Sequence, residues 1–259
     1  NKLNTLILKI LISVRVFNKL LGLSHRDLKL ENLHFNEKNN TIKIIDFGFT
    51  CEKDDLDCIN RYQGTGKYIN PLMNKKYHIK KTQKNNINNL LNLNHSSVSN
   101  NSSIRSKKNK KMNFPNATAQ DLFSLLIIIL KLYYYFCKKN NKEDNKVFNI
   151  VNKYNKSFDN DSDGTFKNKK RYKVKKELVN GLLKCNKEDF DSDLVYLVKK
   201  LFENYWDNRK YKFKIGIQES EATSKFIYDS LIFSSLLCNK KNTDSESLVN
   251  EFRNLIRLI

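Results

Sequence analysis

The sequence predicts a mostly helical protein with one short β-hairpin. Apolar residues recur at intervals of three and four between Leu3 and Leu21, which is the pattern of an amphipathic helix. A nearly unbroken apolar run covers residues 122–137 and predicts a second, buried helix. Between these helices lie a short apolar segment, residues 33–35, and a β-branched segment, residues 41–45. They flank a polar turn at residues 37–40, which predicts the hairpin.

The apolar run after Asp121 has to be distinguished from a membrane span. It is about 16 residues long and contains Lys131, whereas a helix needs roughly 20 mainly apolar residues to cross a bilayer. We therefore expect a buried core helix and no membrane span. From about Phe190 onwards, apolar residues such as Leu194 and Val198 again share a helical face, so we expect this part to be helical too.

The loop and hairpin of residues 25–48 place several chemically useful side chains close together. Asp27 and Lys29 lie in a loop before the first strand. Asn32 directly precedes that strand, and Asp46 directly follows the second strand. Phosphoryl transfer needs a carboxylate to orient a hydroxyl nucleophile, a cation near the transferred phosphate, and an amide and a carboxylate to hold magnesium. This segment supplies each of these groups.

The segment resembles the signature motifs of the eukaryotic protein kinase family, H-R-D-L-x-x-x-N and D-F-G, at residues 25–32 and 46–48. Downstream, residues 64–71 resemble the family's G-T-x-x-Y-x-A-P-E segment. Residues 121–125 resemble its D-x-W-S-L segment, which begins a buried helix. The resemblance implies the fold of a kinase C-terminal lobe, mostly α-helical, in which one short β-hairpin carries the catalytic loop and the D-F-G motif.

The resemblance implies a catalytic role for three residues. Asp27 would be the catalytic base that orients the substrate hydroxyl, and Lys29 would neutralise charge on the transferred phosphoryl group. Thr65 resembles the threonine that bonds this aspartate and this lysine. A lysine at that position, with this threonine, is typical of serine/threonine kinases. The expected partners are therefore proteins that are phosphorylated on Ser or Thr.

The same resemblance implies ATP and Mg²⁺ as cofactors. Asn32 and Asp46 would bind the magnesium that bridges the ATP phosphates. Leu33 would pack under the adenine. His25 and Phe47 would join a hydrophobic stack beside the site.

The resemblance covers one lobe of a kinase domain, which we assign to residues 1–74 and 113–259. The sequence contains no glycine-rich loop, no V-A-I-K strand lysine and no helix C glutamate. We therefore expect the N-terminal lobe, which a full ATP site requires, to be missing and the isolated chain to be inactive. Residues 75–112 are dominated by Asn, Lys and Ser, which predicts a low-complexity, disordered insert.

Departures from the family pattern leave an alternative open. Leu72 stands where the family's A-P-E has its glutamate, and Arg209 is the nearest candidate for the arginine that would pair with it. Arg61 lies four residues before Thr65, where many kinases carry an activating phosphothreonine, so Arg26 has no evident phosphate partner there. The alternative is a pseudokinase or scaffold that keeps the fold without turnover. The arginine of H-R-D disfavours a small-molecule or lipid kinase.

Glu31 matches a catalytic-loop glutamate that basophilic kinases use to engage an arginine of the substrate. A carboxylate beside the substrate would favour such a cation through a charge-assisted hydrogen bond. The basic chain as a whole would instead attract acidic peptides. Because short-range contacts decide selectivity more than net charge does, we expect targets that contain Arg or Lys.

The net charge of +21 raises the question of a nucleic-acid partner. No aromatic-rich surface and no named nucleic-acid module accompanies the lysines. We therefore interpret them as residues of solvated faces and of the insert, and expect no specific nucleic-acid partner.

The five cysteines show no C-x-x-C spacing. This predicts free thiols in a reducing compartment, either the cytoplasm or the nucleus.

Overall fold

The computed structural model describes residues 2–36, 38–39, 41–52, 55, 63–71, 117–159, 168–207 and 212–213. Most of them are helical, as predicted. The helices are α1 (Lys2–Arg15), α2 (Ala117–Lys139), α3 (Lys146–Asp159), α4 (Asn168–Leu183) and α5 (Asp193–Tyr205). Helix α1 continues as a π-helical turn, Val16–Leu20, and short 3₁₀ turns occur at Leu30–Asn32 and Lys187–Asp189.

The predicted hairpin is present. Strand β2 (Leu33–Asn36) pairs antiparallel with β3 (Thr41–Ile44), with Leu33 opposite Ile44. Within the turn, the Asn36 side-chain oxygen accepts hydrogen bonds from the backbone amides of Lys38 and Asn39 at 3.0 and 3.3 Å. This local bond is why Asn favours turns, since its short side chain replaces a backbone partner.

The prediction of a single hairpin is incomplete. Strand β1 (Leu23–Ser24) pairs with β4 (Cys51–Glu52), and β5 (Trp206–Asp207) pairs with β6 (Lys212–Phe213). These strands have two residues each, too few for an alternating pattern to be recognised in sequence. Every sheet in the described part of the chain has two strands.

Helix α2 forms the centre of the hydrophobic core and packs against α1, α3 and α5. By length and a mean hydropathy of 1.4, the segment Gln120–Lys139 could cross a membrane, and 78% of it is buried inside the protein. Such burial is expected of a core helix, so this segment does not show a membrane span. The helix is longer than the predicted run because residues 117–121 precede that run and Lys138 and Lys139 follow it.

Helix α1 packs on this core through the predicted apolar stripe. Its buried residues are Leu3, Ile7, Ile10, Leu11 and Val14. Spacings of three and four place these side chains on one side of the helix, and Leu6, Leu8 and Ile12 pack against the same core while partly buried.

Helices α3 and α4 were not predicted as separate elements. The Asn145 side-chain oxygen caps α3 by accepting hydrogen bonds from the backbone amides of Val147 and Phe148 at 2.8 and 3.1 Å. The helices pack against each other, and Gly181 of α4 lets Ile150 of α3 approach within 3.2 Å of the place where a Cβ would be.

The cysteines only partly follow the prediction. Cys137 and Cys185 are free and buried, as predicted. The prediction of a free thiol is wrong at Cys51, which is disulfide-bonded. Several other predictions lie outside the described residues: the insert of residues 75–112, Leu72, Arg61, Arg209 and the helical pattern beyond Phe213.

A buried leucine of α1 should contribute far more to stability than an exposed one. Leu11 is 0% exposed and Leu21 is 59% exposed. We expect Leu11→Ala to lower the free energy of unfolding by about 2–5 kcal/mol, because it leaves a cavity in the core. Leu21→Ala should change it by less than about 0.5 kcal/mol. Urea denaturation followed by circular dichroism would measure both; equal effects would contradict the packing of α1.

Candidate active site

The loop that precedes the hairpin is held by one buried carboxylate of α2. Asp121 Oδ1 accepts the backbone amide of Arg26 at 2.8 Å. Its Oδ2 accepts the backbone amide of His25 at 2.8 Å and the Ser24 hydroxyl at 2.9 Å. The Asn18 side-chain amide also donates to Oδ2, at 3.3 Å. Burial raises the pKa of Asp121, and these donors oppose that rise because they stabilise the ionised form.

Two residues of the site adopt left-handed backbone conformations that only glycine adopts freely. Arg26 has φ 67° and Asp46 has φ 64°, and such conformations cost of order 1–3 kcal/mol each. Hydrogen bonds hold both positions. The Arg26 amide bonds to Asp121, while Ile45, just before Asp46, donates its amide to Asn32 O at 3.0 Å and accepts the Nε2 of His25 at 3.0 Å.

Asp27, Lys29 and Thr65 come together as the sequence predicts. Lys29 Nζ lies 2.8 Å from Asp27 Oδ2 and donates to Thr65 Oγ1 at 3.2 Å. The Thr65 backbone amide donates to Asp27 Oδ1 at 2.6 Å. Both carboxylate oxygens of the buried Asp27 are therefore held in a fixed orientation.

Asn32 lies against the same carboxylate. Its Nδ2 donates to Asp27 O at 2.9 Å and approaches Asp27 Oδ2 at 3.5 Å. Because Nδ2 makes these contacts, the amide oxygen is the atom that remains for a cation. Asp46 is exposed and follows Ile45, whose amide is bonded to Asn32 O, so the two predicted metal ligands are joined through one backbone hydrogen bond.

The donor set suits a hard cation such as Mg²⁺. An amide oxygen and a carboxylate are oxygen ligands, and Mg²⁺ is usually bound by only one or two carboxylates together with phosphate oxygens and water. No cluster of three His, Cys, Asp or Glu side chains able to hold a metal occurs in the described residues.

The predicted stack of His25 and Phe47 is present and includes Phe17. The ring centroids of Phe17 and Phe47 are 5.6 Å apart, those of His25 and Phe47 5.6 Å, and those of Phe17 and His25 5.9 Å. Since the His25 amide is bonded to Asp121, the stack is attached to the core helix. Leu33 begins β2 and is partly buried against the core.

The side chain of Arg26 contacts Cys51 and Gln63, which follow Asp46 in the chain. Its Nη1 donates to Gln63 Oε1 at 2.9 Å and lies 3.9 Å from the sulfur of Cys51. Gln63 thus supplies a neutral oxygen to Arg26, the residue for which the sequence suggested no phosphate partner at position 61. Thr50 and Tyr62 are the nearby hydroxyl residues that could carry a phosphate for Arg26 instead. Thr50 is partly buried, and Tyr62 lies outside the described residues.

Residues 67–69 are held by three helices, each of which donates a side-chain hydrogen bond to one backbone carbonyl. The Tyr154 hydroxyl of α3 donates to Lys67 O, the Ser124 hydroxyl of α2 donates to Tyr68 O at 3.0 Å, and Lys175 Nζ of α4 donates to Ile69 O. Burial raises the pKa of Tyr154 and lowers that of Lys175. The sequence analysis missed Tyr154 and Lys175, because a side chain that bonds to a distant backbone carbonyl leaves no local pattern.

Gly64 is required because the chain passes close to the backbone of Arg26 at this position. It has φ +102°, and a Cβ at this position would lie 2.5 Å from Arg26 O and 3.6 Å from Asp27 Oδ1. A side chain here would push Thr65 away from Asp27.

We expect Gly64→Ala to destabilise the protein more than Gly22→Ala. Gly22 also has a positive φ, +64°, but a Cβ there would meet nothing within 4 Å. Gly22→Ala should cost about 1–2 kcal/mol from backbone conformation alone. Gly64→Ala should cost about 1–3 kcal/mol more because of the added clash. Denaturant titrations of both variants would measure the difference; equal costs would contradict the described path of the segment.

We expect Asp121→Asn to destabilise the protein strongly. One carboxylate oxygen would become an NH₂ group facing N–H and O–H donors, and each buried donor left without an acceptor costs about 1–3 kcal/mol. Asp144, which is exposed, provides the control. Thermal unfolding should show a large drop in Tm for Asp121→Asn and almost none for Asp144→Asn; a similar Tm for both would show that Asp121 does not anchor the loop.

The comparisons with known proteins agree with the sequence motifs. Residues 1–101 match the family model described as "Protein kinase domain". The matched range contains all of the predicted site residues, which are Asp27, Lys29, Asn32, Leu33, Asp46 and Thr65. The comparison with curated proteins and the comparison with solved structures each gave no match. The match over residues 1–101 supports an assignment to the protein kinase family.

Proposed function

We propose that this chain is the C-terminal lobe of a serine/threonine protein kinase and that it serves phosphoryl transfer from ATP to Ser or Thr hydroxyls of proteins. The cluster of Asp27, Lys29 and Thr65, with contacts of 2.6 to 3.2 Å, carries the proposal. The family match over residues 1–101 supports phosphoryl transfer to proteins in general. The Lys29–Thr65 pair supports the Ser/Thr class, since both side chains belong to the motif of that class.

In this proposal Asp27 acts on the attacking hydroxyl. The hydroxyl oxygen forms a bond to the γ-phosphorus of ATP, the bond to the bridging oxygen of ADP breaks, and the hydroxyl proton passes to the Asp27 carboxylate. The contacts to Thr65 and Lys29 hold the carboxylate in place before substrate arrives, and such positioning supplies much of the catalysis. Lys29 stabilises the negative charge on the transferred group because its ammonium lies beside Asp27.

Asn32 and Asp46 are the proposed magnesium ligands. Mg²⁺, when held by these two residues, would neutralise part of the charge of the phosphates. The contact of Asn32 Nδ2 with Asp27 O directs the amide oxygen to the cation and keeps it close to the proposed base. Leu33, the first residue of β2, would pack against the adenine.

The apolar surface beside Asp46 supports a second lobe above the site. Three large apolar residues close to Asp46 in sequence are exposed, Ile45, Phe47 and Phe49, and so is Phe35 of strand β2. Contiguous exposed apolar residues mark surfaces that other protein parts cover. We propose that an N-terminal lobe covers them and provides the glycine-rich loop and strand lysine that the 259 residues lack. The 259-residue chain by itself should then be inactive.

A scaffold without turnover is the second candidate. Leu72, in the place of the family's glutamate, favours it, because loss of that carboxylate removes an ion pair near the end of the segment. The complete set of Asp27, Lys29, Asn32 and Asp46 favours the active enzyme. Both candidates predict the same fold and differ only in turnover.

The decisive test measures phosphorylation of a protein mixture by the full-length gene product that contains these residues. With ATP and Mg²⁺, we expect incorporation of phosphate into Ser and Thr. Asp27→Asn should lower the rate by about 10²–10⁴-fold, because it removes the proposed base. Asp46→Ala should abolish activity while leaving the Tm unchanged.

Asp144→Asn is the matched control and should keep the activity of the unchanged protein, since Asp144 is exposed. A folded full-length protein without turnover would support the scaffold. Phosphate found only on tyrosine would overturn the Ser/Thr assignment.

A further inference from the structure

Lys131, a buried residue of the core helix α2, is linked through Tyr68 to Glu31, which lies in the loop after Asp27. Lys131 is 7% exposed, and its Nζ donates to the Tyr68 hydroxyl at 2.8 Å. The same Nζ lies 5.0 Å from the centroid of the Tyr68 ring, so ring and hydroxyl both contact the cation. Burying an ammonium is costly unless polar partners surround it, which makes this position unusual for the middle of an apolar helix.

The Tyr68 hydroxyl also forms a hydrogen bond with Glu31. It donates to Glu31 Oε2 at 3.4 Å, and Tyr68 itself is buried. Burial and the nearby Glu31 carboxylate raise the pKa of Tyr68, so the hydroxyl keeps its proton and remains a donor. Lys131, Tyr68 and Glu31 therefore form a chain of hydrogen bonds from the core to the surface, with a positive charge at one end and a carboxylate at the other.

The chain is attached to the same two backbone segments as Asp27. Glu31 lies in the 3₁₀ turn Leu30–Asn32, two residues after Lys29 and directly before Asn32. The Tyr68 amide donates to Thr65 O at 2.8 Å, and the Thr65 amide donates to Asp27. A peptide whose hydroxyl reaches Asp27 would therefore place a neighbouring residue close to Glu31.

The charges around Glu31 do not favour a basic ligand. Burial lowers the pKa of Lys131 and the nearby Lys67 adds to this effect, while Glu31 and Asp159 act in the opposite direction. Lys67 pairs with Asp159 at 2.9 Å. The described charged groups near Lys131 thus balance, two cations against two carboxylates. The sequence alone suggested an isolated Glu31 that would bind arginine, and the structure adds a cation to it.

We propose that Lys131 determines substrate specificity by balancing Glu31 through Tyr68, so that the kinase disfavours Arg and Lys beside the phosphorylated residue. This inference rests on the proposed kinase function. It replaces the expectation of basic targets, which treated the Glu31 carboxylate as free. Specificity of this kind comes from an opposing charge that makes the wrong partner unfavourable.

The test compares matched peptides as substrates of the full-length gene product. The peptides share one sequence and differ only in having Arg, Ala or Glu at each position next to the serine, and kcat/KM is measured for each. The unchanged protein should use the Ala and Glu peptides at least as well as the Arg peptides. Lys131→Glu should shift the Arg-to-Glu ratio of kcat/KM by about tenfold or more towards Arg.

Three further variants keep the test independent of folding. Lys131→Met retains the apolar stem in the buried site and should shift the ratio in the same direction by a smaller factor. Adding Glu31→Gln to Lys131→Met should remove that shift, because no carboxylate remains to attract the arginine. Lys138→Glu, an exposed site on the same helix, makes the same charge change and should leave the ratio unaltered.

The outcomes separate the two proposals. A strong preference of the unchanged protein for Arg peptides, or an unchanged ratio in active Lys131→Met, would overturn the role of Lys131 while leaving the kinase function intact. A folded full-length protein that phosphorylates none of the peptides and none of the proteins in a mixture would overturn the kinase function, and the role of Lys131 with it.

Discussion

The buried carboxylate of Asp121 is the interaction on which the site depends. It lies at the start of the core helix α2 and accepts hydrogen bonds from residues about 100 positions earlier in the chain. A carboxylate buried in this way is stable only while its donors are in place. The core helix and the loop around Asp27 must therefore form together. The left-handed conformation of Arg26 is the local cost of this arrangement, and the bond from its amide to Asp121 offsets that cost.

Residues 67–69, which follow Thr65 of the site, are likewise held by side chains of the core helices α2, α3 and α4. The carbonyls of Lys67, Tyr68 and Ile69 each accept a side chain from a different helix. Thr65, two residues earlier, places its amide on Asp27. Small displacements of α2, α3 or α4 would therefore be transmitted to the orientation of the Asp27 carboxylate. The surrounding helices therefore add rigidity to a site that is assembled from loops.

Two lysines, Lys29 and Lys131, contribute positive charge around the site. Lys29 contacts the Asp27 carboxylate directly, whereas Lys131 acts on Glu31 through the Tyr68 hydroxyl. Both lysines lie next to carboxylates, but they would serve different purposes in the proposed enzyme. The first would take part in phosphoryl transfer, and the second would decide which substrates are accepted. Their difference in exposure, with Lys29 at the surface of the site and Lys131 in the core, matches these separate roles.

The sequence by itself determined the elements that depend on local spacing. The apolar stripe of α1, the buried run of α2 and the β2–β3 hairpin follow from periodicity and turn chemistry, and the nearness of Asp27, Lys29 and Asn32 follows from their separation along the chain. Only the tertiary structure decided the pairing of β1 with β4, the disulfide at Cys51, the carbonyl contacts of Tyr154 and Lys175, and the position of Lys131 behind Glu31. The strand pairing, the carbonyl contacts and the contact of Lys131 join residues far apart in sequence, often through backbone atoms that every residue possesses. Local patterns therefore cannot reveal them, and they exist only once the helices have packed.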